Sequence, residues 1–175
     1  MDDIRWAIAQ EIPHLRRYAR SLTGDVARAD DLVQASLERA LRKHRLWLRR
    51  GSLRNWLFRI VYRTFLNERG CERAHLDVAA LHDSEAALAL PAAQEDRLEA
   101  QDMLRALQWL PVGQRAALVL VVVEELSYEE AAAVLAVARG TVRSRLSRAR
   151  ENQRAWCAEP ATATTRQPPH LRRIK

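Results

Sequence analysis

The chain has 175 residues, of which 48% are hydrophobic, and carries a net charge of +7 with an isoelectric point near 10.4. This length fits one domain or two small ones. The net positive charge favours nucleic acid over membrane as a partner. The longest apolar run, at 116–123, is far shorter than the ~20 residues of a membrane-spanning helix, and the acidic first ten residues lack the apolar stretch of a signal peptide. We therefore expect a soluble, cytoplasmic protein.

Charge is distributed unevenly along the chain. The net charge is +7 for residues 1–70, −6 for 71–102 and +6 for 103–175. Two basic blocks separated by an acidic one predict two DNA-contacting modules on a tether.

Neither a disulfide nor a metal site is predicted. Cys71 and Cys157 are far apart and lack Cys-x-x-Cys or Cys/His spacing, as is common for thiols in a reducing compartment. His75 and His82 lack further ligands at useful spacing. We expect no cofactor.

Helical periodicity begins close to the N-terminus. Pro13 either begins the first helix or kinks it, and the Thr-Gly-Asp triplet at 23–25 ends the pattern. Asp25 is a predicted N-cap for a second helix. Apolar and small residues predict the buried face of that second helix: Ala29, Leu32, Val33, Ser36, Leu37, Ala40 and Leu41.

A third helix is predicted from Leu53 to Arg69, with Ser52 as its N-cap. It interleaves four aromatic residues with four arginines: Trp56, Phe58, Tyr62 and Phe65 with Arg54, Arg59, Arg63 and Arg69. Any single aromatic can belong to a helix packed on both sides. The set as a whole exceeds what a small core needs and favours single-stranded DNA, whose bases stack on rings and whose phosphates meet cations.

The middle of the chain, residues 71–94, loses this regularity and is predicted to be an acidic tether. Helical periodicity returns at 100–110 and is closed by Pro111. The run 116–123 has the β-propensity of a strand. We predict a buried helix instead, because the surrounding segment is long for a strand, lacks a partner strand and leads directly into the next helix.

The residues from Ser127 to Arg154 predict a helix-turn-helix. Ser127 and Glu130 form a capping box at the start of the first helix, and a connection of suitable length follows at 136–140. The second helix is rich in arginine and has a narrow apolar stripe at Val142, Leu146 and Ala149. Such a helix suits the major groove of DNA, with an ordinary solvated helix as the alternative.

With these segments in place, the chain resembles a bacterial extracytoplasmic-function (ECF) sigma factor of the sigma-70 family, of the minimal type that retains only sigma regions 2 and 4. The resemblance rests on ADDLVQ and LERA within 29–40, NWLFRI at 55–60, and the 110–150 stretch that includes LSYEEAA and GTVRSRLSRAR. It implies an all-α fold of two small helical domains joined by a flexible acidic linker. Region 2 would be a three- or four-helix bundle and region 4 a helix-turn-helix bundle.

The implied domain boundaries are 1–70 for region 2, 71–94 for the linker, 95–157 for region 4 and 158–175 for a disordered basic tail. The resemblance also implies three sets of functional residues. Core polymerase would contact the second helix, at Asp30, Asp31, Leu32, Gln34, Glu38 and Arg39. The minus-ten element would be bound and melted by the third helix, at Arg54, Asn55, Trp56, Arg59, Tyr62, Arg63 and Asn67.

The third set would bind the minus-thirty-five element: Arg139, Thr141, Arg143, Ser144, Arg145 and Arg148. Arg139 and Arg143 are expected to hold phosphates, and the other four to contact bases.

The implied function is that of a detachable polymerase subunit that selects promoters, and not that of an enzyme. Its partners would be the β′ clamp helices and β flap of core RNA polymerase, promoter DNA, and a cognate anti-sigma factor that can be membrane-anchored. Direct membrane binding is not expected. The acidic linker would either occupy the RNA channel of the polymerase in place of RNA or act as a spacer that avoids DNA.

The chain departs from the family pattern at four positions. Ala136 stands where the family usually has Gly, and Ala138 where it often has Pro, which predicts a looser turn or a strained left-handed residue. Arg63 and Asn67 stand where the family commonly has Asn and Asp. The promoter sequence therefore cannot be transferred from relatives.

Two other functions are alternatives for a basic chain with a helix-turn-helix. A free-standing helix-turn-helix repressor would bind palindromic DNA without polymerase, but would leave segment 30–40 and the third helix without a role. An enzyme acting on DNA would need an activated nucleophile or a carboxylate cluster, and Ser21, Ser36 and Ser52 have no arranged base.

Overall fold

The computed structural model describes residues 2–44, 47, 51–76 and 104–158, with the side chains of 4–44, 47, 51–70 and 104–155. The N-terminal lobe consists of α1 (Asp2–Thr23), α2 (Val26–Lys43) and α3 (Leu53–Leu76). The C-terminal lobe consists of α4 (104–108), α5 (Val112–Leu118), a π-helical segment (Val119–Val123), α6 (Tyr128–Leu135) and α7 (Arg139–Ala158). None of the described helices is long and apolar enough to cross a bilayer. The tail, the linker beyond 76 and both cysteine side chains lie outside the described part of the chain.

The turn between α1 and α2 is set by Gly24 and Asp25. Gly24 has φ +76°, a left-handed conformation that glycine adopts without steric cost. The Asp25 side chain accepts the backbone N–H of Arg28 at 2.7 Å, which confirms the predicted N-cap. The third helix closes the lobe, where the rings of Tyr18 and Phe58 meet edge to face with centroids 5.2 Å apart.

Two predictions about buried faces are wrong. Helical periodicity predicts Leu41 in the buried face of α2, but its side chain is 41% exposed. The sequence predicts that the aromatic residues of α3, taken as a set, exceed the needs of the core, yet Phe58, Tyr62 and Phe65 are all buried. The reason is that α3 packs against α1 and α2 and also against α6 of the other lobe, so it needs apolar side chains around more of its circumference. This helix also continues to Leu76, beyond the predicted end at Arg69.

The run 116–123 is helical, as predicted, but its end is unusual. Residues 116–120 are buried, whereas Val122 and Val123 are exposed, so burial was predicted correctly only for the first part. Here the helix widens into a π-helical segment, with the backbone N–H of Glu124 bonded to the carbonyl of Val119 at 3.0 Å.

The helix-turn-helix begins at the predicted capping box. Ser127 Oγ accepts the backbone N–H of Glu130 at 3.2 Å, and Glu130 Oε2 accepts the backbone N–H of Ser127 at 2.9 Å. The first helix ends at Leu135, and its C-cap Ala136 has φ 53° and ψ 47°. This is the left-handed residue, one of the two outcomes predicted from the replacement of the usual glycine. The apolar stripe of α7 is buried at Val142, Leu146 and Ala149.

The two lobes are packed together, an arrangement that the sequence did not predict. Arg115 of α5 is only 6% exposed, and its Nη1 donates to the carbonyls of Ser21 and Leu22 at 3.2 and 3.0 Å. Those carbonyls lie at the C-terminal end of α1, where backbone acceptors lack intrahelical partners and a cation is favoured. The pKa of Arg115 is lowered to about 10. Burial of the guanidinium is the larger cause, and the positive charge of Arg69 is the smaller one.

Candidate nucleic-acid interfaces

The basic face of α7 carries the residues predicted for the minus-thirty-five element. Arg143, Ser144 and Arg148 are exposed, and Arg139 is exposed and paired with Glu129 at 2.9 Å. Thr141 is partly buried, and its carbonyl accepts the Ser144 hydroxyl at 3.0 Å. Most of this predicted set therefore presents polar groups to solvent on one helix, as an interface with DNA requires.

Arg145 is the member of this set that is least free to reach DNA. It is partly buried, and its guanidinium lies so close to Gly113 of α5 that a Cβ there would be 3.1 Å from its Cζ. Gly113 thus leaves space in which Arg145 lies across α5. In this position, Arg145 packs within the C-terminal lobe and does not project from it.

Four of the seven predicted minus-ten residues lie in the first two turns of α3: Arg54, Asn55, Trp56 and Arg59. Arg54 is paired with Glu11 of α1 at 2.7 Å, and the ring of Trp56 stacks on that of Trp47 with centroids 6.0 Å apart. Arg63 and Asn67 are exposed farther along the helix. Tyr62, also in this predicted set, is only 7% exposed, so DNA cannot contact its ring in this arrangement.

Two of the minus-ten residues are occupied by the C-terminal lobe. Asn55 Nδ2 donates to Glu130 Oε1 at 2.9 Å, and Arg59 donates from Nε and Nη2 to the carbonyl of Ala133 at 3.0 and 2.7 Å. The first helix of the helix-turn-helix thus lies directly on the predicted minus-ten surface. An acidic cleft of about 360 Å³ opens beside this contact, lined by Glu11, Ser52, Leu53, Arg54, Asn55, Glu124, Glu125, Leu126 and Glu130.

A second contact between the lobes centres on Glu124, whose side chain is fully buried. Arg17 donates to both carboxylate oxygens, from Nε to Oε1 at 2.7 Å and from Nη2 to Oε2 at 3.0 Å. His14 Nδ1 lies 2.8 Å from Oε2, and His14 Nε2 lies 3.1 Å from Arg54 Nη2. The buried carboxylate of Glu124 therefore forms a bidentate ion pair with the guanidinium of Arg17 in the other lobe.

The predicted polymerase face of α2 is partly exposed. Asp31, Gln34 and Glu38 lie at the surface, and Asp30 is half-buried and paired with Arg16 at 3.2 Å. Two further members are used within the lobe. Leu32 is in the core with 1% exposure, and Arg39 Nη1 donates to Thr64 Oγ1 of α3 at 2.9 Å.

Comparison with known proteins assigns the family. Residues 8–62 match the family described as "Sigma2 domain of PhyR", and residues 100–152 match "Sigma-70, region 4". The ECF RNA polymerase sigma factor EcfG of Rhodopseudomonas palustris (strain TIE-1) is 38% identical over 149 residues, which cover 85% of this chain and 82% of that protein. The chain belongs to the ECF RNA polymerase sigma factors.

Solved structures of relatives have the same fold as this sigma factor. The sigma factor RpoE of Bartonella quintana, in complex with the anti-sigma factor NepR, is 32% identical with a TM-score of 0.82, and the match covers 90% of this chain and 98% of that one. CnrH, in complex with the cytosolic domain of CnrY, is 26% identical with a TM-score of 0.65, covering 87% and 85%. The predicted architecture of two helical sigma regions is confirmed.

Sequence reasoning missed the residues that join the lobes of this sigma factor. Arg17 and Glu124 are 107 positions apart, and neither belongs to a motif. Arg115 and Gln108, which bond to the end of α1, were also not singled out. Gly24 was recognised only as a helix breaker, although a Cβ there would lie 2.7 Å from Gln108 Cδ.

Proposed function

We propose that this sigma factor binds core RNA polymerase in the cytoplasm and directs initiation at its own set of promoters, and that an anti-sigma factor restrains it. The observation that carries the proposal is the presence, in one chain, of matches to sigma region 2 and sigma region 4. The exposed basic face of α7 and the cationic start of α3 support a role in binding DNA.

In this proposal region 2 comprises residues 1–70, the linker 71–94, region 4 residues 95–157, and the basic tail 158–175. The family matches at 8–62 and 100–152 fall within the two proposed regions. The exposed acids of α2 would contact the β′ clamp helices, and region 4 would contact the β flap. A direct contact with the membrane is not part of the proposal.

Region 2 would open the promoter at the minus-ten element. Removing a base from the stack costs a few kcal/mol, and contacts with the trapped strand must offset that cost. Arg54, Asn55 and Arg59, at the first turns of α3, offer the donors, and the stacked pair Trp47–Trp56 offers a ring surface beside them. Arg63 and Asn67 would extend the same surface along α3.

Region 4 would read duplex DNA at the minus-thirty-five element through α7. Arg139 and Arg143 would hold phosphates and so fix the position of the helix. Base contacts would come from Thr141, Ser144 and Arg148, and from Arg145 after it leaves its place over Gly113. An arginine that bonds guanine through two donors contributes about 1–3 kcal/mol of discrimination.

An anti-sigma partner is proposed from the relatives. RpoE of Bartonella quintana has been solved with the anti-sigma factor NepR, and CnrH with the cytosolic domain of CnrY. The match to RpoE extends over nearly the whole of both chains, which supports a partner of the same kind for this chain. The partner of this chain could be anchored in the membrane.

Run-off transcription tests the proposal. Core polymerase is incubated with genomic promoter fragments, with the chain, without it, and with the variant Arg143→Ala/Arg148→Ala. We expect promoter-specific transcripts only with the unaltered chain, while the double variant still co-purifies with core polymerase. Binding to palindromic DNA without polymerase, together with an absence of transcripts, would instead indicate a free-standing repressor.

A further inference from the structure

A cavity of about 480 Å³ lies between the second half of α3 and the segment that runs from α4 into α5. It shares no lining residue with the acidic cleft at the start of α3. None of the residues that line it belongs to the sets predicted for promoter DNA or core polymerase. Its volume falls within the range of about 300–1,000 Å³ that is usual for small-molecule sites. The cavity is therefore a candidate binding site that the proposed function does not use.

The wall of this cavity is cationic. Arg69 of α3 and Arg115 of α5 both line it, and no carboxylate does so among the residues that the structure describes. The two guanidiniums are close enough for the charge of Arg69 to add to the effect of burial in lowering the pKa of Arg115. Like charges held near each other favour an anion placed between them. The cavity thus suits a negatively charged ligand.

The hydrogen bonds of Arg115 leave part of its guanidinium without an acceptor. Nη1 donates to Gln108 and to the carbonyls of Ser21 and Leu22, and Nη2 donates to the carbonyl of Leu110 at 3.1 Å. These acceptors are all neutral, and the buried Nε has no hydrogen-bond partner in the described part of the chain. A buried donor without an acceptor and a buried cation without a counter-charge both destabilise the fold. A bound anion would supply the acceptor and the counter-charge together.

The rest of the cavity wall is largely apolar. Leu66, Leu110, Pro111 and Val112 line it, and the side chain of Leu66 is 44% exposed. An apolar surface beside two guanidiniums fits a ligand with an anionic head and an apolar body. A phosphate monoester carries about two negative charges near pH 7, and its oxygens match the planar fork of arginine. It can therefore bridge two guanidiniums, whereas a single carboxylate neutralises only one.

We propose that this cavity binds a small phosphate monoester, with its phosphate between Arg69 and Arg115 and its apolar part against Leu66. The inference goes beyond the proposed function, because it depends on neither DNA nor polymerase. A ligand that binds only the folded chain stabilises that chain by mass action, so the site would make stability respond to the concentration of the ligand.

Isothermal titration calorimetry on the full-length chain tests the site. Phenyl phosphate is the probe, because it joins a phosphate to an apolar ring, and inorganic phosphate and phenol represent its two halves. Arg115 is left unchanged, since its bonds to α1 contribute to folding. Arg69→Gln removes a cation from the wall, and Gly70→Asp adds a carboxylate where a Cβ would meet nothing within 4 Å. Circular dichroism establishes that each variant is helical.

Two variants serve as matched controls. Gly70→Asn has nearly the shape of Gly70→Asp without its charge. Arg5→Gln removes an exposed arginine of α1 that lies outside the cavity, so it measures the effect of net charge alone.

We expect phenyl phosphate to bind the unaltered chain more tightly than inorganic phosphate, and phenol to show no measurable binding. Arg69→Gln should weaken the binding of phenyl phosphate roughly tenfold, because charge-assisted hydrogen bonds are lost. Gly70→Asp should weaken it by a similar factor relative to Gly70→Asn, through like-charge repulsion. Leu66→Ala should lower the affinity for phenyl phosphate about threefold and leave that for inorganic phosphate unchanged. Arg5→Gln should change neither affinity by more than about twofold.

A failure of phenyl phosphate to bind the unaltered chain would overturn the proposal. Equal losses in Arg69→Gln and Arg5→Gln would also overturn it, since they would indicate non-specific attraction to a basic chain. A third contrary outcome is binding that appears only after the acids of segment 77–102 are changed to amides, because the chain's own carboxylates would then be the occupants of the cavity. None of these outcomes bears on transcription, so the proposed function is tested independently.

Discussion

Arg59 donates two hydrogen bonds to a single backbone oxygen, the carbonyl of Ala133, at 3.0 and 2.7 Å. Ala133 lies in the last turn of α6, where carbonyls have no partner within the helix and the negative end of the helix dipole favours a cation. Arg59 therefore acts as an external cap for a helix of the other lobe. Because the acceptor is backbone, the contact does not depend on which side chain occupies position 133.

The contact between Asn55 and Glu130 predicts a measurable pKa change. The pKa of the Glu130 carboxyl lies below its ordinary value, because the backbone N–H of Ser127 donates to it, followed by the side chains of Asn55 and Ser127. We expect Asn55→Ala to raise the pKa of Glu130, as measured by an NMR titration of the side-chain carboxyl. Asn67→Ala, on the exposed far part of α3, is the matched control and should leave the pKa of Glu130 unchanged.

The sign of the effect on stability follows from the direction of this shift. A carboxyl whose pKa is lowered by folding stabilises the native state above its ordinary pKa, and this contribution is lost as the pH falls through the folded value. Asn55→Ala should therefore make unfolding less dependent on pH in the acid range. An unchanged titration of Glu130 in this variant would show that the lobes are apart in solution.

Replacing Ala136 by glycine should stabilise the C-terminal lobe. Ala136 has φ 53° and ψ 47°, and a left-handed conformation costs a residue with a Cβ roughly 1–2 kcal/mol. The greater freedom of glycine in the unfolded chain offsets part of this gain, so we expect the free energy of unfolding to rise by about 0.5–1 kcal/mol. Urea denaturation measures the change. Ala133→Gly, within α6, should lower the free energy of unfolding by about 1 kcal/mol. If Ala136→Gly also lowered the free energy of unfolding, the inferred strain at Ala136 would be contradicted.

The buried aromatics of α3 predict a large difference between two aromatic substitutions. Phe58 is fully buried against Tyr18, so Phe58→Ala should lower the free energy of unfolding by about 3–5 kcal/mol. Trp6 is 66% exposed, and Trp6→Ala should change it by no more than about 0.5 kcal/mol. Thermal or urea unfolding followed by circular dichroism distinguishes the two. Comparable losses would show that Trp6 is covered in solution.

Features that depend on neighbouring residues could be predicted from the sequence. The capping box of Ser127 and Glu130 spans four residues, and Asp25 caps the helix that begins at the next position. The stripe of Val142 and Leu146 follows from helical periodicity alone. Each of these signals lies within a short stretch of sequence, so each can be recognised without knowledge of the fold.

Features that depend on the packing of distant helices could not be predicted. Periodicity placed Leu41 in the core, but no described helix covers that end of the face, and the leucine is exposed. Arg115 is basic and would be assigned to the surface, yet it is buried because the end of α1 supplies carbonyl acceptors. The pairing of Arg17 with Glu124 joins positions 107 apart and has no counterpart in any repeat or motif.

The exposed arginines of α7 predict two separable effects on promoter binding. Arg143 is expected to hold a phosphate, so Arg143→Ala should weaken binding about equally on all sequences and lower the slope of log affinity against log salt concentration by about 0.9. Arg148 is expected to contact a base, so Arg148→Ala should reduce discrimination between cognate and altered minus-thirty-five elements by about 1–3 kcal/mol. Both are measured with the chain bound to core polymerase, on matched promoter duplexes in a salt series.

Arg150→Ala, exposed on the same helix but outside the predicted set, is the control and should change neither quantity appreciably. If Arg143→Ala altered discrimination instead, while Arg148→Ala altered only the salt slope, α7 would lie in the groove turned about its axis from the orientation proposed.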